Sequence, residues 1–283
     1  MQLESAGTGV VHSPGATGRL DWMRYAPDAV AVERMEAFFS GRGYEFHRHD
    51  TYAIGRTIAG VQSFRYRGAI RNSLPGGTIV LHPDEVHDGQ AGAEGGFHYR
   101  MMYIKPADIQ QVLGGRPLPF IKDGISHDPR LFAAAGALLR DVDRPLEALE
   151  YEDAIYDLAR ALTAATDGKG ISARALVDFR AAQLARDYLH ADLSKAISLK
   201  DLESISGQDR WRLSRDFRVL FGTSPYRYLV MRRLDAVKIA LRSGIAPAQA
   251  AVDAGFSDQS HMTRHFTKAF GVSPVYWLRL QGP

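Results

Sequence analysis

The chain has 283 residues, 45% hydrophobic and 24% charged, with a formal net charge of +3 and no cysteine. This length predicts two domains, and the composition is that of an ordinary globular protein. The lack of cysteine excludes disulfides and thiolate metal sites and fits a reducing cytoplasm. No apolar run reaches the roughly 18 residues of a membrane span, so no membrane partner is expected.

The first 20 residues are small, polar and glycine-rich, without the basic start and apolar core of a secretory signal, and are expected to be disordered. Within an expected sensor domain over 21–125, residues 21–106 alternate in short runs broken by Gly and Pro, such as Tyr52–Ile58, Thr78–His82 and Phe97–Ile104. Runs of that kind predict strands of a sandwich or barrel. Over 126–166 the spacing turns helical: Leu131, Ala135, Leu138 and Leu139, then Leu146, Leu149, Ile155, Leu158 and Leu162. Two amphipathic helices packed as a hairpin are expected there. Residues 167–173 suit a linker, and 174–283 are helical, so the expected class is α+β: an N-terminal β-barrel-like domain followed by an all-α domain.

Charge divides along the same line. From Ser172 onward 17 basic residues stand against 10 acidic, whereas residues 1–171 hold 18 basic and 22 acidic. A basic domain joined to a mildly acidic one points to a polyanion as partner of the former alone.

The helical part contains a duplication. Ser214-Arg215-Asp216-Phe217, ending in Phe221-Gly222-Thr223-Ser224-Pro225, returns 49 residues later as Thr263-Arg264-His265-Phe266, ending in Phe270-Gly271-Val272-Ser273-Pro274. One supersecondary unit is used twice. In the first copy Leu199, Leu202 and Ile205 form the apolar stripe of a short helix ended by Gly207. Asp209 is placed to cap the next helix. Leu213, Phe217 and Leu220 then share an inward face, while Trp211, Ser214, Arg215 and Arg218 lie opposite, with Arg210 and Arg212 at the tip. In the second copy Pro247 to Ala254 is the supporting helix, Gly255 ends it and Ser257 is expected to cap its successor. Met262, Phe266 and Ala269 face inward. Gln259, Ser260, Thr263, Arg264 and Lys268 face outward, with His261 near the edge. Leu229, Leu234, Val237 and Leu241 mark a long helix between the copies. Two helix-turn-helix units held apart by such a helix would enter successive major grooves of double-stranded DNA.

At these residues the chain resembles the AraC/XylS family of bacterial transcription regulators. The carriers are Ser198-Leu199, Leu202, Leu213-Ser214-Arg215, Phe217, Phe221-Gly222 and Ser224-Pro225. With them stand Ala250, Ala254-Gly255-Phe256, Gln259-Ser260-His261-Met262, Arg264, Phe266, Phe270-Gly271 and Ser273-Pro274. The resemblance implies a seven-helix domain whose recognition helices read bases through Trp211, Ser214, Arg215, Gln259, Ser260, Thr263 and Arg264. Gln208 departs from the family pattern, which has an apolar residue after the turn glycine. The stretch His47-Arg48-His49-Asp50-Thr51-Tyr52, followed by Leu74-Pro75-Gly76-Gly77 and His82-Pro83-Asp84-Glu85-Val86-His87, is similar to the cupin-type sensor domains of this family.

His47 and His49 are two apart, so on a strand they share a face, and His87 follows on the second cupin-like segment. Metal-binding cupins add a glutamate shortly after the first pair; here Tyr52, Ala53 and Ile54 stand in its place. The three imidazoles could contact a small effector in the barrel mouth, structure the strand ends, or hold zinc or iron. Effector contact by His47, His49, Tyr52 and His87 is the expectation adopted, with no metal and no cofactor. There is no phosphate loop, Gly-x-Ser-x-Gly elbow or His-Glu-x-x-His, so no enzyme is expected. The resulting expectation is a cytoplasmic, effector-controlled DNA-binding regulator, an activator by family resemblance, dimeric through residues 126–166 and with RNA polymerase as a further candidate partner. Its rivals are a metal-dependent cupin enzyme, or a protein-interaction sensor, fused to a DNA-binding domain.

Overall fold

The computed structural model describes residues 21–27, 32–166 and 177–279. The disorder expected for 1–20 and the linker expected over 167–173 lie outside these residues.

The N-terminal half begins with β1 (Trp22–Tyr25), β2 (Glu33–Phe39), β3 (Arg42–His47), β4 (Tyr52–Gly60) and β5 (Gln62–Tyr66). It continues through β6 (Ala69–Ser73), β7 (Thr78–Leu81), β8 (His87–Ala91) and β9 (Phe97–Ile104). After α1 (Pro106–Leu113) come β10 (Ile125–Ser126), α2 (Pro129–Leu139) and α3 (Ala148–Ala165). The strands pair antiparallel in two sheets, ordered β1-β2-β9-β4-β7-β10 and β3-β8-β5-β6. The half is thus a cupin-like sandwich of two open sheets rather than a closed barrel.

Strand β9 shows why the larger sheet is covered on both faces. Phe97, Tyr99 and Met101 point toward the smaller sheet and join a core with Met35, Phe39, Phe64 and Tyr66. Their alternates Met102 and Ile104 point the other way and pack with Tyr52, Ile54 and Val80 against α1, α2 and α3. The period of two along the strand sends successive side chains into different cores. Polar residues on the outer face are used as well. The buried guanidinium of Arg34 donates to the carbonyls of Leu138, Asp141 and Arg144, and Arg100 donates to those of Leu139 and Arg140. Two neighbouring strands thereby satisfy the otherwise unpaired carbonyls at the C-terminal end of α2.

Helices α2 and α3 pack on each other as the hairpin pattern requires, but Leu149 is 70% exposed. Helix α1 begins where the span expected to hold strands ends. Pro106 in its first turn and Gly114 in the left-handed conformation (φ 59°) after its end are its sequence markers.

The C-terminal half has seven helices among the described residues: α4 (Phe179–Ala191), α5 (Leu199–Ser206), α6 (Arg210–Phe221), α7 (Pro225–Arg242), α8 (Pro247–Asp253), α9 (Gln259–Phe270) and α10 (Pro274–Arg279). Helix α7 is shared by two cores. Its first turns pack with Leu202, Leu213, Phe217 and Leu220, and its later turns pack with Ala250, Met262, Phe266 and Trp277. Of the stripe expected on α5 only Leu202 is buried; Leu199 and Ile205 are exposed, because α5 is a single short helix touching α4 and α6 along one edge. Gln208 lies half-buried at the turn after α5, with its amide atoms enclosed by protein.

Both caps of the recognition helices are aspartates. Asp209 accepts from the N–H groups of Trp211 and Arg212. At α9 the cap is Asp258, accepting from His261 N at 2.7 Å; Ser257, the residue expected there, instead bonds Asp258 and His261 through its hydroxyl. Asp258→Ala should therefore destabilise the helical domain by about 1 kcal/mol in urea unfolding, and Ser257→Ala by clearly less.

Candidate DNA interface and effector cavity

Helices α6 and α9 occupy the same place in their units. Phe217 and Phe266, 49 positions apart, are both fully buried. The opposite faces emerge into solvent: Arg210, Trp211, Arg212, Arg215 and Arg218 on α6, and Gln259, Ser260, Arg264 and Lys268 on α9. Trp211 is 80% exposed, an unusual position for an indole unless a partner covers it. Ser214, Thr263 and His261 are half-exposed.

The faces differ in how their side chains are held. Asp216, wholly buried, accepts from the backbone of Asp178 and from Arg215 at 2.9–3.1 Å, with Arg212 at 4.0 Å. Arg218 bonds Ser214, and Arg210 pairs with Glu203. The first recognition helix thus carries a tethered fork of guanidinium groups. Sequence reasoning missed Asp216 because it stands inside the motif as a plain charged residue. In the second unit the same position is His265, whose ring bonds His261 at 3.0 Å. His261 is thereby turned into its own unit, while Gln259, Ser260 and Arg264 have no side-chain bond among the described residues.

Three basic residues of α7, Arg227, Arg232 and Lys238, face the sandwich rather than solvent. Arg232 donates to both oxygens of Asp50 at 2.8–2.9 Å, with each side chain 3% exposed. Arg227 pairs with Asp84 and Lys238 with Glu33. The duplicated turn glycines dock beside this stripe, each in the left-handed conformation (φ 71°). A Cβ on Gly222 would lie 2.5 Å from Pro83, and one on Gly271 would lie 3.1 Å from the Glu45 carbonyl and 3.3 Å from the His47 ring. Arg48 N also donates to the Lys268 carbonyl at 3.3 Å.

Between the halves lies a cavity of about 850 Å³, walled by Met23, Tyr25 and Met35 from the sandwich and by Met231, Phe270 and Trp277 from the helices. Its cations sit over aromatic rings: Lys238 over Phe270 and Trp277, Arg242 over Trp277 and Tyr25. His47 and His49 form part of the wall. Their ring centroids lie 4.3 and 5.0 Å from that of His87. Burial, reinforced for His49 and His87 by the neighbouring imidazoles, pushes all three below the usual histidine range, His49 to about 3. They are neutral at physiological pH. Tyr52 lies apart from them: its hydroxyl donates to the Pro119 carbonyl at 2.7 Å within the core against α1–α3. The cavity residues on α7 and α10 left no sequence signal, since nothing local pairs them with strands some 200 residues earlier.

Asp50→Ala would leave the buried Arg232 with only the part-exposed Asp235 as counter-charge, a loss below the about 3–5 kcal/mol of a fully unpaired buried charge, which undocking relieves by hydrating the guanidinium. The variant should show a larger radius of gyration by small-angle scattering, with each half still folded by circular dichroism.

Comparison with known proteins agrees with this architecture. The profile of the AraC-like ligand binding domain matches residues 29–159, and that of a helix-turn-helix domain matches residues 204–279. The HTH-type transcriptional regulator YbfI of Bacillus subtilis is 23% identical over 220 residues, 76% of this chain and 80% of YbfI. The probable transcriptional regulator LumQ of Photobacterium leiognathi is 30% identical over 93 residues, 32% of this chain and 38% of LumQ. The structure of ToxT from Vibrio cholerae with a bound unsaturated fatty acid superposes with a TM-score of 0.61 at 13% identity, over 92% of this chain and 95% of ToxT; the fold is shared end to end. The chain belongs to the AraC family of transcriptional regulators, with an N-terminal ligand-binding domain and a C-terminal helix-turn-helix DNA-binding domain.

Proposed function

We propose that the protein is a sequence-specific regulator whose two recognition helices read adjacent major grooves, and whose effector is an apolar carboxylic acid held in the cavity between the domains. The single observation that carries the effector assignment is the composition of that cavity. Its walls are mainly apolar, its cations Lys238 and Arg242 sit over aromatic rings beside Arg34, Lys105 and Arg232, its carboxylates are Glu33, Asp50 and Asp235, and both domains contribute. An acid with an apolar body matches this chemistry: the body meets Met23, Phe270 and Trp277, and the carboxylate competes with Glu33 for Lys238. ToxT, of the same fold, binds an unsaturated fatty acid. A ligand that touches both domains has different affinity for docked and undocked arrangements, which is the condition for it to shift their balance.

On this proposal Arg210, Trp211, Arg212, Ser214, Arg215 and Arg218 contact one groove, and Gln259, Ser260, His261, Thr263, Arg264 and Lys268 the next. The protein acts by binding and not by catalysis, in the cytoplasm with its DNA. Residues 21–125 form the sensor and 126–166 a homodimer surface, where Leu149 and Tyr156 stand exposed on α3. Residues 174–283 bind DNA and, in activation, present the regulator to RNA polymerase.

Two measurements test this function. Arg264→Ala should lose about 1–3 kcal/mol of discrimination between the selected operator and a single-base variant in gel-shift titrations. Uniform weakening across all sequences would reassign Arg264 to phosphate contact. A C12–C18 fatty acid should raise the melting temperature of the full chain, and Lys238→Ala should weaken its binding by about 10- to 100-fold, the worth of one charge-assisted hydrogen bond. A neutral ester of the same chain length binding as tightly as the acid would overturn the carboxylate assignment.

A further inference from the structure

Strand β3 ends at His47 and strand β8 begins at His87, and the two residues are paired directly across the sheet. His49 follows two residues beyond the strand end, and one ring nitrogen from each of the three lies within 4.8 Å of the others. All three side chains are buried.

Their orientation is fixed by backbone. Nδ1 of His47 lies 2.7 Å from the Glu45 carbonyl, Nδ1 of His49 2.9 Å from that of Thr51, and Nδ1 of His87 2.9 Å from that of Glu85. A carbonyl oxygen only accepts, so each Nδ1 carries the proton and donates. In a neutral imidazole Nε2 is then a bare lone pair. None of the three Nε2 atoms has a hydrogen bond among the described residues, and that of His49 is wholly buried. A purely structural histidine cluster would place an N–H opposite each lone pair. Here three acceptors gather without a donor, an arrangement that costs free energy unless a cation satisfies them. The Nδ1–H to carbonyl bond is also the contact by which proteins orient metal-binding imidazoles. Tyr44 packs on the His47 ring and Tyr103 on that of His49, which limits ring rotation.

We infer that His47, His49 and His87 form a binding site for one divalent first-row transition ion, with zinc or iron best suited to three neutral nitrogens. Nitrogen–metal bonds of about 2.0–2.1 Å need the three nitrogens about 3.3 Å apart in a tetrahedral set, within reach by small side-chain rotations from the present spacing. Asp88 acts on His47 as the nearby anion and Lys238 on His49 as the nearby cation, and Lys238 is itself paired with Glu33. The imidazoles bring no charge, so the ion keeps its own. Because His47 and His49 line the interdomain cavity, its remaining coordination position lies on the cavity side, open to water or an anion.

The site is joined to the DNA-binding domain. The last turn of α9 rests on it: Gly271 lies against the Glu45 carbonyl and the His47 ring, and Lys268 accepts from Arg48 N. An ion holding His47 and His49 together fixes the Glu45–His49 segment, and with it the seat of the second recognition helix. This goes beyond the effector proposal and does not depend on it.

The test uses the full chain, stripped with chelator and titrated with Co²⁺ or Zn²⁺ alone. One equivalent of Co²⁺ should bind and give visible d–d absorption of four- or five-coordinate type. His49→Gln and His87→Gln should each weaken binding by at least about tenfold, while His82→Gln, a histidine outside the cluster, should leave it unchanged. If the first two variants fail to fold, hydrogen exchange on the wild-type chain still decides. Zn²⁺ should slow exchange at residues 45–49 and 268–272. Less than half an equivalent bound, an octahedral aqua-like spectrum, equal affinity in all three variants, or unchanged exchange on saturation would each overturn the inference.

Discussion

The pair Arg232–Asp50 is the constraint on which the arrangement of the two halves depends. Two charges removed from water cost several kcal/mol each unless their mutual geometry is good, and here both oxygens of the carboxylate are engaged. Such a pair favours one docking register over its neighbours, because a slide leaves Asp50 buried without its cation and Arg232 with only Asp235 of its own helix. Arg227–Asp84 and Lys238–Glu33 repeat the device toward either end of α7. The helix that spaces the two helix-turn-helix units is therefore also the helix that carries the ionic contact with the sandwich. Part of the positive excess of the C-terminal half serves this internal contact, and what remains for DNA is concentrated on α6 and α9.

The sandwich can hold such a register because its larger sheet is anchored from behind. Tyr52, Ile54, Val80, Met102 and Ile104 pack against α1–α3 while their strand neighbours fill the inter-sheet core. A sheet buried on both sides bends little, so Glu33 on β2 is held firmly against Lys238 of α7. The cavity is placed where this matters, with Glu33 and Asp50 on one wall and Lys238 and Arg232 on the other.

What was legible in the sequence follows from how local each signal is. The duplication, the inward positions Leu213, Phe217, Met262 and Phe266, and the exposed faces of both recognition helices depend on helical period alone, and all stand in the structure as expected. The α2–α3 hairpin and the strand runs are equally local. The cap of α9 was legible but misplaced by one residue: the 49-residue offset carries Asp209 to Asp258, next to the expected Ser257. The exposed Leu199, Ile205 and Leu149 show the limit of an apolar stripe, which states what a helix can bury but not whether a neighbour arrives. The docking of the halves was not legible. Asp50 and Arg232 lie 182 residues apart, and no period or spacing links them. The gathering of the three histidines was half legible: the spacing of His47 and His49 put them on one face, but the pairing with His87 depends on sheet register.

The two copies of the unit have diverged most at one buried position, and the physics there separates their roles. Asp216 holds Arg215 in a set direction, so less side-chain entropy is lost when that guanidinium meets DNA. The same carboxylate already occupies part of the fork, and contact with a base must share or replace it. At the equivalent position His265 offers Arg264 no anion and bonds His261 instead. Arg264 then loses more freedom on binding but keeps all five donors for a guanine edge or phosphate. A tethered arginine favours a fixed register on the duplex, and an untethered one favours discrimination by the full bidentate contact. Both units also touch the N-terminal half, the first through Gly222 against Pro83 and the second through Gly271 against Glu45 and His47, so the tethered and the untethered arginine each stand on a helix whose C-terminal end is seated on the sandwich.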